Sequence, residues 1–530
     1  MNIPAPLRAE LPAIHPYLGR DVPWLLETQA QRHGDRTFLT WVPFEGDGET
    51  WSYRELADRA ARFAAGLTAR GVRPGDRVIV HMGNRPEFLA AFFGCSWAGA
   101  VAVTTNIHSG RGELKYFAEH AEARFAITEA ALAGDLMSCG AAFDWVACAD
   151  KVPEGAIAYG TLCGEEPMPR RAADPNLYHS VMYTSGTTSR PKAVVFTHAN
   201  VLWAAERNAI HETIDEEDVA LVYLPLFHLN ALGYSTFATL WSGGRIVLQP
   251  KFSASRLWDT AAAHGCTWAA IGPFVTKALL ELPQPKSHGF RFWGNNWGAD
   301  PVVMANWGIP SLGWYGMTET VSHPIISDIK KPPPDYAVGR AAAEYALRLV
   351  DEAGMDIALG QAGRLLIKGV RGVSLFYEYL NNPEANAEAF DADGWFDTGD
   401  MIDLLPDGSM RFADRKKDML KVGGENVAAS EVEAVIQDVA GVEEVAVIGR
   451  PHPFLHETPL AFVVARGADE ALTARIEAAC AEALATFKRP REVIYIDALP
   501  RLPIGKLDRK ALRDRIAAEA SPPPRPGDRR

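Results

Sequence analysis

The sequence predicts an α/β protein: layered helices and strands, then a β-rich subdomain, then a compact α/β unit at the C-terminal end. Helix and strand signals alternate from Ser52 to Ala130. Short strands cluster after Pro332-Pro333-Pro334. The helix–strand rhythm resumes beyond a charged run, Asp414-Arg415-Lys416-Lys417-Asp418.

Ser52 and Glu55 have the spacing of a capping box, in which each side chain satisfies the other's free backbone donor. Leu56, Ala60, Phe63 and Leu67 then share one face of a helix that runs to Arg70. Gly71 stops it, Pro74-Gly75 turns the chain, and Val78-Ile79-Val80 reads as a fully apolar strand. Phe88 to Gly110 carries no Lys, Arg, Asp or Glu. Its apolar part ends at Val103, short of the roughly 18–20 residues of a membrane span, so it predicts a buried helix entering a buried strand. Leu347 to Val350 alternates as a half-buried strand should, and Arg364 to Ile367 is a second β run. These predict a small antiparallel or barrel-like subdomain. Ser430 and Glu433 predict a second capping box and a helix to about Val439. Strands at Val445–Ile448 and Leu460–Val464, a helix from Ala468 to Phe487 and a strand at Val493–Ile496 complete a unit of about a hundred residues. The tail, SPPPRPGDRR, is expected to be disordered.

The 530 residues are 48% hydrophobic and 22% charged, which excludes disulfide-stapled, collagenous and mostly disordered classes. A net charge of 53 − 66 = −13 excludes a general nucleic-acid binder but not a nucleotide substrate, which needs only a few local cations. Six cysteines, none in a CxxC pair, point to a reducing compartment without structural zinc. Met1 to Asp21 lacks the pattern of a secretory signal, and the expected location is the cytoplasm.

The most informative segment is Tyr183-Thr184-Ser185-Gly186-Thr187-Thr188-Ser189-Arg190-Pro191-Lys192. Its hydroxyls and backbone N–H groups can wrap phosphate oxygens, and Lys192 supplies positive charge. It is not a Walker A loop. Alone it reads equally well as a Ser/Thr/Gly linker. It resembles the phosphate loop of adenylate-forming enzymes: acyl-CoA synthetases, luciferases and peptide-synthetase adenylation domains. Further matches follow in that family's order across nearly the whole chain.

The resemblance implies roles residue by residue. Thr184, Ser185, Gly186, Thr187, Thr188 and Lys192 would bind the nucleotide phosphates. Leu224-Pro225-Leu226-Phe227-His228 resembles the start of the acyl pocket, with His228 gating access to the pantetheine tunnel. Gly298-Ala299-Asp300-Pro301 resembles the adenine-side loop, and Tyr315-Gly316-Met317-Thr318-Glu319 the family's most specific motif. Tyr315 would stack on adenine, Thr318 bond the α-phosphate, and Glu319, with Thr184, hold Mg²⁺. Gly394-Trp395-Phe396-Asp397-Thr398-Gly399-Asp400 resembles the ribose motif, with Asp400 accepting the ribose hydroxyls and Arg415 reaching the ribose or α-phosphate. Lys417 would be the hinge, Gly423 and Gly424 would line the CoA channel, and Lys506 in Pro503-Ile504-Gly505-Lys506 would bridge the carboxylate and the α-phosphate. Catalytic roles fall to Lys506, Glu319, Thr184, Lys192 and His228. Two features depart from the family pattern: Ser189 and Ala193 replace glycines, and Gln361 and Arg364 stand where the family favours Glu.

The implied fold is a large N-terminal domain, 1–416, of layered α/β subdomains with a small β-barrel-like subdomain. A small mobile C-terminal α+β domain, 417–519, and a disordered tail, 520–530, follow. The implied reaction uses ATP, Mg²⁺ and CoA. A carboxylic acid becomes an acyl-adenylate with release of pyrophosphate, then an acyl-CoA thioester with release of AMP. Within the family the chain resembles crotonobetaine/carnitine-CoA ligase-like proteins, through Thr187 to Lys192 and through Ile367-Lys368-Gly369 and Phe376 to Pro383. Trp293, Trp297 and Trp314 lie in the implied pocket segments, where a tryptophan face could hold a trimethylammonium group. They read equally well as packing against a bulky acid or in the core. Two alternatives stay open: an amine or carrier-protein acceptor in place of CoA, and a non-catalytic nucleotide or acyl sensor. The reading has no nucleic-acid partner and no membrane span, and it allows a homodimer.

Overall fold

The computed structural model describes residues 7–184, 191–415, 419–465, 467, 469–501 and 507–520. The chain divides into two compact units, one mostly of residues up to 416 and one mostly from 417 onward. The fold is mixed α/β.

The larger unit holds two extended sheets. In the first, the parallel strands Tyr178–Thr184, Val101–Thr104, Arg77–His81, Phe125–Thr128, Trp145–Cys148 and Ile157–Ala158 lie side by side in that order. Lys192–Thr197 and then Glu378–Tyr379 extend its other edge in antiparallel fashion. The second sheet runs Arg340–Ala341, Ile325–Ile326, Ser311–Tyr315, Phe292–Asn295, Trp268–Ala270, Val219–Val222, Arg245–Leu248, Thr37–Trp41, Glu49–Ser52. Residues from both sheets and from helices Tyr53–Ala69, Pro86–Ala98 and His198–His211 form one continuous apolar core. Every residue of Pro86–Ala98 except Glu87 is buried, so the uncharged run is core helix, followed by the buried strand Val101–Thr104. No helix among the described residues is long and apolar enough to cross a membrane. A four-stranded antiparallel sheet, Ala346–Val350, Ala362–Lys368, Phe396–Leu404 and Met410–Arg415, forms the β-rich subdomain.

Tyr53–Ala69 starts as its spacing predicts. Ser52 Oγ accepts from Glu55 N at 3.2 Å, and Glu55 Oε2 accepts from Ser52 N at 2.7 Å. The second predicted box does not form. The later helix is Ala429–Gln437, capped at Ala428 without a side-chain bond. Glu433 Oε1 instead accepts from Val447 N at 2.7 Å and from Arg509 Nη2 at 2.5 Å.

In the smaller unit, strands Val442–His452 and His456–Ala465 outrun their predicted apolar cores. Val447, Ala461 and Val463 pack toward helices Ala429–Gln437 and Glu470–Ala483. Ala446, Ile448, Leu460 and Phe462 pack toward helix Arg509–Ala520 on the other face. Two covered faces explain why both strands read as unbroken apolar runs. Residues 521–530 lie outside the described residues.

One buried group sets a pH dependence of stability. Glu212, just past helix His198–His211, is fully buried, and neither carboxylate oxygen has a hydrogen-bond partner among the described residues. Burial holds its pKa well above the usual 4.5. The folded state therefore keeps a proton that the unfolded chain releases. That stability is intact below the unfolded pKa and is lost, at about 1.4 kcal/mol per pH unit, as pH rises toward the folded pKa. Glu212→Gln removes this loss. Its melting temperature should gain more over wild type at pH 8 than at pH 5; an equal change at both would contradict it.

Candidate active site

The segment that resembles a phosphate loop is flanked by a strand pair. Thr184 ends Tyr178–Thr184 and Lys192 begins Lys192–Thr197; the two are register partners, and Thr184 Oγ1 donates to Lys192 O at 3.4 Å. Ser185, Gly186, Thr187, Thr188, Ser189 and Arg190, between them, lie outside the described residues. Ala193 is buried in a core cluster, and its register partner is Tyr183.

Lys192 does not stand alone. Its Nζ lies 4.6 Å from the centre of the Tyr379 ring. The Tyr379 hydroxyl donates to Glu319 Oε1 at 3.0 Å, and both residues are buried. Glu319 sits in the one-turn 3-10 helix Thr318–Thr320, and its carbonyl accepts from Phe376 N at 2.9 Å. Lysine and acid, 127 positions apart in sequence (319 − 192), thus meet through one tyrosine. Sequence reasoning missed Tyr379 as a site residue. Its only signal was a place in the Phe376-to-Pro383 resemblance.

Tyr315 ends strand Ser311–Tyr315, and its hydroxyl donates to Asp400 Oδ2 at 2.8 Å. Asp400 lies on Phe396–Leu404 and is 2% exposed. Its register partner on the next strand is Arg415. The structure therefore brings together the residues that the sequence linked to adenine and ribose. Met317 N donates to Thr320 Oγ1 at 3.0 Å, which fixes the turn carrying Thr318. Gly316 packs against Tyr234, whose hydroxyl would stand 2.3 Å from an added Cβ. Thr184 and Tyr315 both end strands with parallel neighbours, the edge where α/β sheets bind ligands.

The Gly298-Ala299-Asp300 loop is clamped by its backbone. Gly298 has φ +89°, and a Cβ there would be 1.9 Å from Ala337 O. Asn295 Oδ1 accepts from Gly298 N at 2.7 Å, and Ala299 N donates to Ala337 O at 3.2 Å. Asp300 is a helix cap: Oδ1 accepts from Val302 N and Val303 N, and Oδ2 accepts from Trp297 Nε1 at 2.8 Å. Its carboxylate is thus spent on the protein.

His228 follows a turn in which His228 N donates to Pro225 O at 3.0 Å. Buried Asn84 fixes the approach, donating to Leu224 O at 2.8 Å and accepting from Leu226 N at 2.8 Å. Arg364 pairs with Asp397 of the ribose motif, so its charge is answered locally. Gln361 accepts from Ala358 N at 2.9 Å.

In the smaller unit, Gly423 and Gly424 form the two-residue turn between Met419–Val422 and Glu425–Ala428. Both have positive φ, +61° and +96°, as a hairpin turn of this length requires. Lys417 and Lys506 lie outside the described residues.

The three tryptophans have different surroundings. Trp293 is core, its ring 5.4–5.6 Å from those of Trp258, Phe290 and Trp307. Trp314 stacks on His323 at 4.8 Å and 10°. The Trp297 indole N–H is tied to Asp300. Burial and neighbouring His211 hold the His323 pKa well below its usual range, so the stacked ring is neutral.

Comparison with known proteins identifies the family. Residues 26–380 match the family model "AMP-binding enzyme", and 431–506 match "AMP-binding enzyme C-terminal domain". A crotonobetaine/carnitine–CoA ligase of Citrobacter koseri is 29% identical over 93% of this chain and 99% of its own length. A double mutant of o-succinylbenzoate CoA synthetase from Bacillus subtilis, bound with its product analogue OSB-NCoA, superposes with TM-score 0.81 at 27% identity, covering 92% of this chain and 98% of that one. A Mycobacterium tuberculosis fatty acyl CoA synthetase gives TM-score 0.67 at 29% identity, covering 94% and 99%. The chain belongs to the AMP-binding enzyme family, and within it to the acyl-CoA ligases.

Proposed function

We propose that this ligase activates its acid with Mg-ATP, transfers the acyl group to CoA, and takes an acid whose tail carries no positive charge. The observation that carries the first part is the Lys192–Tyr379–Glu319 cluster beside the ends of the phosphate loop. Magnesium takes oxygen ligands, usually one or two from protein with the rest from phosphates and water. The Glu319 carboxylate and Thr184 hydroxyl fit that donor set. When bound, the metal would neutralise charge on the phosphates. Lys192 adds fixed positive charge, and Asp400, already oriented by Tyr315, accepts ribose hydroxyls. By the resemblance, Thr318 and Arg415 contact the α-phosphate side, Lys506 supplies the cation of the adenylation step, and Gly423-Gly424 guides CoA. Lys417 serves as the hinge between residues 1–416 and 417–519.

The second part rests on the rings. Trp293 and Trp314 have their faces against other side chains, and the Trp297 indole N–H is tied to Asp300, an arrangement that favours packing over an ammonium cage. The test is a panel of acids with Mg-ATP and CoA, read by pyrophosphate release and by mass spectrometry of the thioester. It should span carnitine, crotonobetaine, γ-butyrobetaine, fatty acids, benzoates, cinnamates and bicyclic acids. The highest kcat/KM is expected for an uncharged-tail acid. A betaine as best substrate would overturn the tail assignment. Pyrophosphate release without any thioester would move the acceptor to an amine or carrier protein.

A further inference from the structure

We propose that Tyr379 is the positioning residue of the phosphate site, holding Glu319 at its hydroxyl and Lys192 over its ring so that metal-binding and phosphate-binding charges keep separate, fixed places. The inference rests on the function proposed above and deepens it.

Tyr379 is itself fixed from several sides. It lies on the short strand Glu378–Tyr379, opposite Val194 of Lys192–Thr197. Positions 192 and 194 share one face of that strand, so the Tyr379 ring lies diagonal to the Lys192 side chain, within reach of a long one. Asn386 clamps the Tyr379 backbone, with Oδ1 accepting from Tyr379 N at 2.7 Å and Nδ2 donating to Tyr379 O at 2.8 Å. Asn386 belongs to helix Pro383–Ala389, whose N-cap is Asn382. Leu380 N donates to Ala193 O at 2.8 Å, beside Lys192 itself. The Phe376 ring packs 4.7 Å away, and Phe376 N holds the Glu319 carbonyl. The same short segment thus grips the backbone of Glu319 and of Ala193, the residue next to Lys192.

The two contacts do different work. A hydrogen bond from a neutral hydroxyl to a buried carboxylate fixes the acid without cancelling its charge. A cation over a ring face is held by the ring quadrupole, again without loss of charge. A tyrosine in this position orients each charge without itself neutralising it.

The experiment measures ATP affinity by calorimetry, with and without Mg²⁺ and without acid or CoA, for wild type, Tyr379→Phe and Tyr379→Leu. Melting temperatures check folding. Wild type should bind ATP more tightly with Mg²⁺. Tyr379→Phe keeps the ring and loses the hydroxyl. Its magnesium enhancement should fall by about five- to tenfold while its metal-free affinity stays within about twofold. Tyr379→Leu loses both contacts, and its metal-free affinity should fall by about threefold or more as well. A Tyr379→Phe protein with the wild-type magnesium enhancement would overturn the inference, even if Tyr379→Leu fails to fold. Failure of folded wild type to bind ATP at all would instead overturn the proposed function.

Discussion

Lys506→Ala should reduce acid-dependent pyrophosphate release by at least about a hundredfold, while thioester formation from supplied acyl-adenylate changes by less than about threefold. As the acid attacks, negative charge builds on the pentavalent α-phosphate and the departing pyrophosphate. A preorganised cation there is worth most in the transition state and little in the ground state. The second half-reaction starts from an adenylate already made, and its nucleophile is a thiol. A residue that acts in one half only must leave the site for the other, which a hinged domain permits. The assignment comes from Pro503-Ile504-Gly505-Lys506, so the two half-reactions must be assayed separately. Equal losses in both would contradict it.

Glu319→Gln is the second large effect. The amide keeps an acceptor for the Tyr379 hydroxyl and nearly the same volume, so the buried cluster should stay packed. What it loses is the charge. Adenylation should fall by about a hundredfold, and the magnesium concentration for half-maximal rate should rise. The melting temperature should move little, because the deletion removes charge and leaves no cavity. Full adenylation with wild-type magnesium dependence would show that Glu319 is only a buried turn residue.

These assignments show which parts of the molecule its sequence exposes. The Ser52–Glu55 box was legible because both partners lie within one helical turn. Ser430 and Glu433 had the same spacing, but Val447 and Arg509 compete for Glu433 from distant segments. The uncharged run from Phe88 was legible as core because it is too short to span a membrane. The phosphate, adenine and ribose motifs were each legible as resemblance, and Tyr315 does meet Asp400 across 85 positions. Tyr379 was hidden because its partners lie 60 and 187 positions away, the latter from 379 − 192, and it lies in a two-residue strand. Asp300 carries a second, local signal: an aspartate before proline caps a helix, as it does here. The tryptophans could not be placed from composition, since an indole in the core and an indole in a pocket look alike in sequence.

The central claim is that an acyl-adenylate forms before CoA takes part. The direct measurement is exchange of labelled pyrophosphate into ATP, with Mg²⁺ and an acid found active in the panel, in the absence of CoA. The account predicts acid-dependent exchange without CoA, its near loss in Lys506→Ala, and stoichiometric AMP and acyl-CoA once CoA is added. Exchange that requires CoA, or ADP in place of AMP, would contradict it.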